Sequence, residues 1–122
     1  MKLRIKGNSL RIRLTRSEVG KLAETAYLEE HTLFAGNTLV YALQAVNNGD
    51  ELSAAFDSNK ITMFVPNELI KSWPENNLVG FNSNMPVSEN ETLYLLLEKD
   101  FVCLDETIED QSDNFDNPNK TC

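Results

Sequence analysis

The chain has only two cysteines, one histidine and one tryptophan, and no apolar run in it approaches the ~20 residues that a transmembrane helix needs. Cys103 and Cys122 stand far apart without C-x-x-C spacing, which excludes a disulfide-dense scaffold and predicts free thiols in a reducing compartment. The five glycines are scattered, and none forms a G-x-x-x-x-G-K or G-x-G-x-x-G phosphate loop. Zinc usually takes four Cys or His ligands, whereas His31 stands alone and far from both cysteines. The acidic stretch 105–116 lacks the D-x-D-x-D-G-x₅-E spacing of a calcium loop. No metal and no cofactor is therefore expected. The start, Met1-Lys2-Leu3-Arg4-Ile5-Lys6, alternates charge with apolar residues where a signal peptide would carry an unbroken apolar stretch, so the expected address is the cytoplasm.

What is present is an ordinary globular composition. The 122 residues are 41% hydrophobic and 25% charged, enough for one core and one domain. A net charge of −8 disfavours nucleic acid or an anionic membrane as an obligatory partner. The charge is unevenly placed. Residues 1–21 hold seven of the eleven basic residues against one acid, Glu18, and residues 98–116 hold eight acids against one base, Lys99. Such asymmetry fits either an anion-binding face or two ends that neutralise each other.

Period-two alternation on both sides of Gly7-Asn8 predicts a hairpin, with Leu3, Ile5, Leu10, Ile12 and Leu14 on one face and Lys2, Arg4, Lys6, Arg11 and Arg13 on the other. Thr15-Arg16-Ser17-Glu18 has the S/T-x-x-E spacing of a capping box, which predicts a short helix burying Val19, Leu22, Ala23 and Ala26. Strands are expected over 27–34 and 38–46, and the strongest turn signal is Asn47-Asn48-Gly49-Asp50. The pattern then begins again, with strands around Leu52–Phe56 and Ile61–Val65, a short helix carrying Leu69, Ile70 and Trp73, a strand over 78–82, and a central strand at Leu93–Leu97 that is apolar on both faces.

Shifted by 51 positions, Leu10, Ile12 and Leu14 fall on Ile61, Met63 and Val65. Shifted by 54, the run 38–43 falls on 92–97. Two ββαββ halves follow from this repeat. The expected fold class is α+β: a mostly antiparallel sheet of about eight short strands with two short helices, a strand number at which a sheet can close into a barrel. Residues 1–104 read as a single domain and 105–122 as an acidic C-terminal tail with Ile108 and Phe115 as its large apolar anchors.

Three blocks carry a family resemblance: residues 1–19, beginning Met-Lys-Leu-Arg-Ile-Lys-Gly-Asn-Ser-Leu; then Glu98-Lys-Asp-Phe-Val-Cys-Leu104; then Glu109-Asp110 followed by 113–119. The chain resembles a family of short, mainly bacterial proteins known only as a domain of unknown function. That resemblance implies a free-standing domain and brings no activity, cofactor or site residue. In outline, a two-half barrel with basic strands is also similar to the triphosphate tunnel enzymes. Their Glu-x-Glu-x-Lys strand corresponds here to Lys2-Leu3-Arg4-Ile5-Lys6, in which only Lys6 matches and the metal-holding carboxylates are replaced by bases.

The candidate ligand-binding residues are Lys2, Arg4, Lys6, Arg11 and Arg13. Guanidinium groups suit phosphate or carboxylate, and a surface this dense in charge must meet water, an anion or an acidic partner. Glu29, Glu98, Asp100 or the tail could supply that partner from within the chain, as could a homo-oligomer contact. His31 has no nucleophile motif around it, and Trp73 reads as core. The sequon matches at Asn90 and Asn119 carry no meaning without a secretory signal. The reading is a binding or interaction protein without catalytic activity. The alternative is binding or turnover of a phosphate-bearing small molecule on the basic hairpin, and turnover would require carboxylates or a metal beside the bases.

Overall fold

The computed structural model describes residues 1–101 and 112–116. Eight strands are present: β1 (Lys2–Ile5), β2 (Ser9–Leu14), β3 (Tyr27–Phe34), β4 (Asn37–Val46), β5 (Ser53–Asp57), β6 (Lys60–Pro66), β7 (Gly80–Pro86) and β8 (Thr92–Lys99). Helix α1 (Arg16–Thr25) follows β2, and α2 (Asn67–Ile70) with a 3-10 turn at Trp73–Glu75 follows β6. No helix among the described residues is long and apolar enough to cross a membrane.

Local sequence accounts for most boundaries. Gly7 takes a φ of 54° at the first hairpin turn, a left-handed conformation that glycine adopts without strain. Thr15 and Glu18 form the full capping box, each side chain accepting from the other's backbone N–H. The N-terminal ammonium also pairs with Glu18. Burial opposes ionisation of Glu18 but is outweighed by that ammonium and by Thr15, which hold its carboxyl below the usual range. Val19 and Leu22 are buried as expected. Ala26 is exposed instead: it is the left-handed cap that ends α1, its N–H bonding the Leu22 carbonyl.

The strands form two four-stranded sheets, β1-β2-β8-β7 and β3-β4-β6-β5. The outer pairs of each are antiparallel hairpins, but the central pairs, β2 with β8 and β4 with β6, are parallel. The mostly antiparallel sheet expected from the sequence is therefore corrected to two mixed sheets. Each sheet takes one hairpin from each half of the chain, and the inner strands of the two hairpins meet side by side.

The pairing itself repeats. Leu10 lies opposite Leu95 and Ile12 opposite Leu97; adding 51 to the first residue and subtracting 54 from the second gives Ile61 opposite Tyr41 and Met63 opposite Leu43, as observed. The link at the hairpin turns obeys the same rule, with Tyr94 N–H bonding Asn8 O at 3.1 Å and Val40 N–H bonding Asn59 O at 3.0 Å. The two halves thus exchange sheets.

The sheets do not close into a barrel. β1 and β5 span only four and five residues. Where β5 meets β7, the contacts are Ser83 Oγ donating to Leu52 O at 2.8 Å and Ala54 N–H on Met85 Sδ at 3.3 Å, in place of a main-chain ladder. The repeat-related corner between β1 and β3 carries the Met1 ammonium against Glu30 at 3.4 Å. With two separate sheets, the described residues form no closed tunnel to support the triphosphate-tunnel likeness.

The inner faces of both sheets share one core, which includes Ile12, Leu14, Leu43, Met63, Leu95 and Leu97, capped by Val19 and Leu22 of α1 and by Ile70 and Trp73. Trp73 is fully buried and its Nε1–H donates to Leu78 O at 2.9 Å, as a core tryptophan requires. That contact occupies the Leu78 carbonyl, and the penultimate strand spans Gly80–Pro86, where a strand over 78–82 was expected; Val79 O still accepts from Lys99 N–H at 2.9 Å. β8 is central, but only its inner face is fully covered. Tyr94 on the outer face is exposed and Leu96 half-buried, because no second layer of described residues lies over that face.

Candidate functional site

The outer face of the β1-β2-β8-β7 sheet gathers the basic residues. In the ladder Lys2 lies opposite Arg13 and Arg4 opposite Arg11, so like charges face each other across the hairpin, an arrangement that costs stability unless it is relieved. Relief comes from β8. The parallel register sets Glu98 beside Arg13, and its Oε1 accepts from Arg13 Nε at 2.8 Å and from both Nε and Nη2 of Arg11. Lys2 Nζ stands 2.8 Å from Oδ2 of buried Asp100. Asp100 is itself held by its backbone, its N–H bonding Leu14 O and its carbonyl accepting from Phe115 N–H.

Arg4 and Lys6 differ from their neighbours. Among the described residues neither side chain has a hydrogen-bond or ion-pair partner. With Ser9, Arg11, Tyr94 and Leu96 they line a surface pocket of about 240 Å³. One carboxylate, Glu98, serves two guanidiniums, so Arg11 brings partly compensated charge to the same pocket. The arrangement can hold a small oxyanion by charge-assisted hydrogen bonds, with the Tyr94 ring and Leu96 offering an apolar floor.

A family model, "Family of unknown function (DUF7009)", matches residues 1–119. The chain belongs to that family. No curated protein and no solved structure matches it. The DUF7009 match spans the basic hairpin, both sheets and the segment 112–116, so the site described here lies inside the matched region.

His31, around which the sequence shows no nucleophile motif, sits on the outer face of the other sheet at the end of a hydrogen-bonded chain. Lys60 Nζ donates to Tyr27 Oη at 2.7 Å, Tyr27 O–H donates to Glu29 Oε1 at 2.6 Å, and His31 Nε2 lies 2.7 Å from Glu29 Oε2. Hydrogen bonds from His31 and Tyr27, with Lys60 beside them, hold the Glu29 carboxyl down at about 2. Tyr27, Glu29 and His31 share a face by period two, a signal present in the sequence; Lys60 joins them only because β6 lies beside β4. Cys103 and Cys122 lie outside the described residues. Among the described residues no three His, Cys, Asp or Glu side chains converge as metal ligands.

The segment 112–116 docks on the domain. Asp113 O accepts from Arg16 N–H and its carboxylate from Ser17, at the start of α1. Phe115 forms a parallel bridge with Phe101 and packs its ring on that of Phe101, with centroids 5.9 Å apart.

Proposed function

We propose that this chain is a non-catalytic binding protein whose ligand carries a phosphate-like anionic group, held on the outer face of the first sheet by Arg4, Lys6 and Arg11. The observation that carries the reading is the contrast within one face. Lys2, Arg11 and Arg13 have acidic partners, whereas Arg4 and Lys6, at the edge of a pocket, have none among the described residues. A protein of net charge −8 has no need of unpaired cations for solubility. Pockets that enclose whole small molecules usually run to ~300–1,000 Å³. One of about 240 Å³ suits a single anionic group with the rest of the ligand lying across Tyr94 and Leu96.

Phosphoryl transfer would require a carboxylate or a metal able to act on the bound group. Glu98, the acid that reaches Arg11 among the described residues, is occupied by Arg11 and Arg13, which favours binding over turnover.

Isothermal titration with phosphate, pyrophosphate, triphosphate and nucleotides, each with and without Mg²⁺, tests the reading. Binding should weaken as salt shortens the Debye length below ~10 Å, and the Arg4→Ala, Lys6→Ala double variant should abolish it while the fold is retained. Affinity unchanged in the double variant would refute the site. Release of phosphate during titration would show an enzyme.

A further inference from the structure

On the inner face of β8 the row Leu95, Leu97, Lys99 corresponds through the internal repeat to Tyr41, Leu43, Ala45 of β4. Lys99 is the charged residue in a row that otherwise faces the core, and it is only 4% exposed. Its ammonium donates one hydrogen bond, to Asn76 O at 2.7 Å, and stands 4.8 Å from the Phe115 ring centroid and 5.8 Å from that of Trp73. No carboxylate pairs with it among the described residues. A buried cation without a counter-charge is costly. Methionine would fill the same slot and satisfy the rings without that cost. Burial, and then the nearby Arg16, push the Lys99 ammonium toward easier deprotonation.

The amine borders a cleft of about 540 Å³, a volume that suits a whole small molecule. Arg16 lines it too, its guanidinium 5.3 Å from the Phe115 centroid, so two cations flank one aromatic ring. Phe101 and Phe115 supply apolar wall and Asn77 an amide. Glu75 and Asp116 also line the cleft, which selects against ligands of high negative charge.

We propose that this cleft is a second binding site, distinct from the outer basic face, for a small organic acid: one carboxylate taken by Lys99 and Arg16, and a flat apolar body laid against Phe101 and Phe115. The bound acid supplies the counter-charge that Lys99 lacks among the described residues.

Trp73 is the single tryptophan and its ring centroid lies 5.8 Å from the Lys99 amine, so a ligand that engages that amine is expected to change its fluorescence. Full-length protein would be titrated with 3-phenylpropanoate, with phenethylamine as the same body lacking the anion, and with inorganic phosphate as an anion lacking the body. Saturable binding of 3-phenylpropanoate is expected, at least ~tenfold tighter than either comparison ligand, since a charge-assisted hydrogen bond is worth a factor of that order. Lys99→Met should abolish it and Arg16→Gln weaken it, while Arg4→Ala with Lys6→Ala leaves it at the parental value, which separates this site from the outer face. Absence of saturation by ~10 mM, a millimolar limit beyond which binding is too weak to be specific, overturns the proposal. So does phenethylamine binding as well as the acid. Should Lys99→Met fail to fold, Arg16→Gln decides, and unchanged affinity in that variant refutes the role of the cationic pair.

Discussion

Gly80 lies opposite Glu98 in the β7–β8 ladder, so close that a Cβ on Gly80 would stand 2.7 Å from both Cα and Cβ of Glu98, and closer still to the carbonyl oxygen of Leu97. The absence of a side chain at Gly80 lets β7 pack against the residue that holds Arg11 and Arg13. The obstacles are two backbone atoms and the Cβ fixed to one of them, none of which can swing aside. Gly80→Ala is expected to cost about 1–3 kcal/mol, the range for overpacking, and to loosen Glu98. Urea denaturation should show a lower midpoint, and a variant as stable as the parent would contradict the packing.

Ile12 is fully buried at the centre of the first hairpin, opposite Leu3 and Leu97. Ile12→Asp places a carboxylate in that core and should cost several kcal/mol, about 4 or more, among the largest effects of a single substitution. A melting curve matching the parent's would show that the hairpin is not part of the core.

Thr15 caps α1 through its hydroxyl and is reached in return by Glu18. Thr15→Ala should cost about 1 kcal/mol, and Thr15→Asn, which keeps a capping acceptor, should recover most of it. Thermal melts of the two variants against the parent check the ordering.

The chain Lys60–Tyr27–Glu29–His31 makes a prediction in pH. Glu29 falls from an ordinary 4.5 to about 2 in the folded protein. A depressed carboxyl stabilises the fold fully above its unfolded value, and that contribution disappears as pH falls through the folded one, so the loss belongs between about 4.5 and 2. Carboxyl NMR should find the Glu29 midpoint near 2, far below the ordinary 4.5, and Tyr27→Phe, which removes one hydrogen bond, should raise it.

How much of this was legible beforehand differs by level. Residues two apart share a face of a strand, so the sidedness of β2 and β6, the buried Leu10, Ile12 and Leu14, and the capping box at Thr15 could all be read directly. The internal repeat was legible too, because offsets of 51 and 54 align apolar positions, and the register later obeyed both. Strand direction was not legible. An alternating pattern is the same read in either direction, so nothing in β2 or β8 announces that they run parallel.

The candidate site divides the same way. Five bases on one side of a hairpin follow from alternation alone, and their opposition across the ladder follows from the turn. Which of them are neutralised depends on Glu98 and Asp100, brought from the far end of the chain by the β2–β8 pairing. Lys99 shows the limit most clearly. In the sequence it is the one base among eight acids over 98–116, yet its position in the strand turns it inward, and the packing of Trp73 and Phe115 around it makes it a buried charge. Local order is fixed by short-range sterics and periodicity that the sequence carries by itself. The partners of a charge are fixed by which distant strands share a sheet, and that is decided only when the two halves pack on one core.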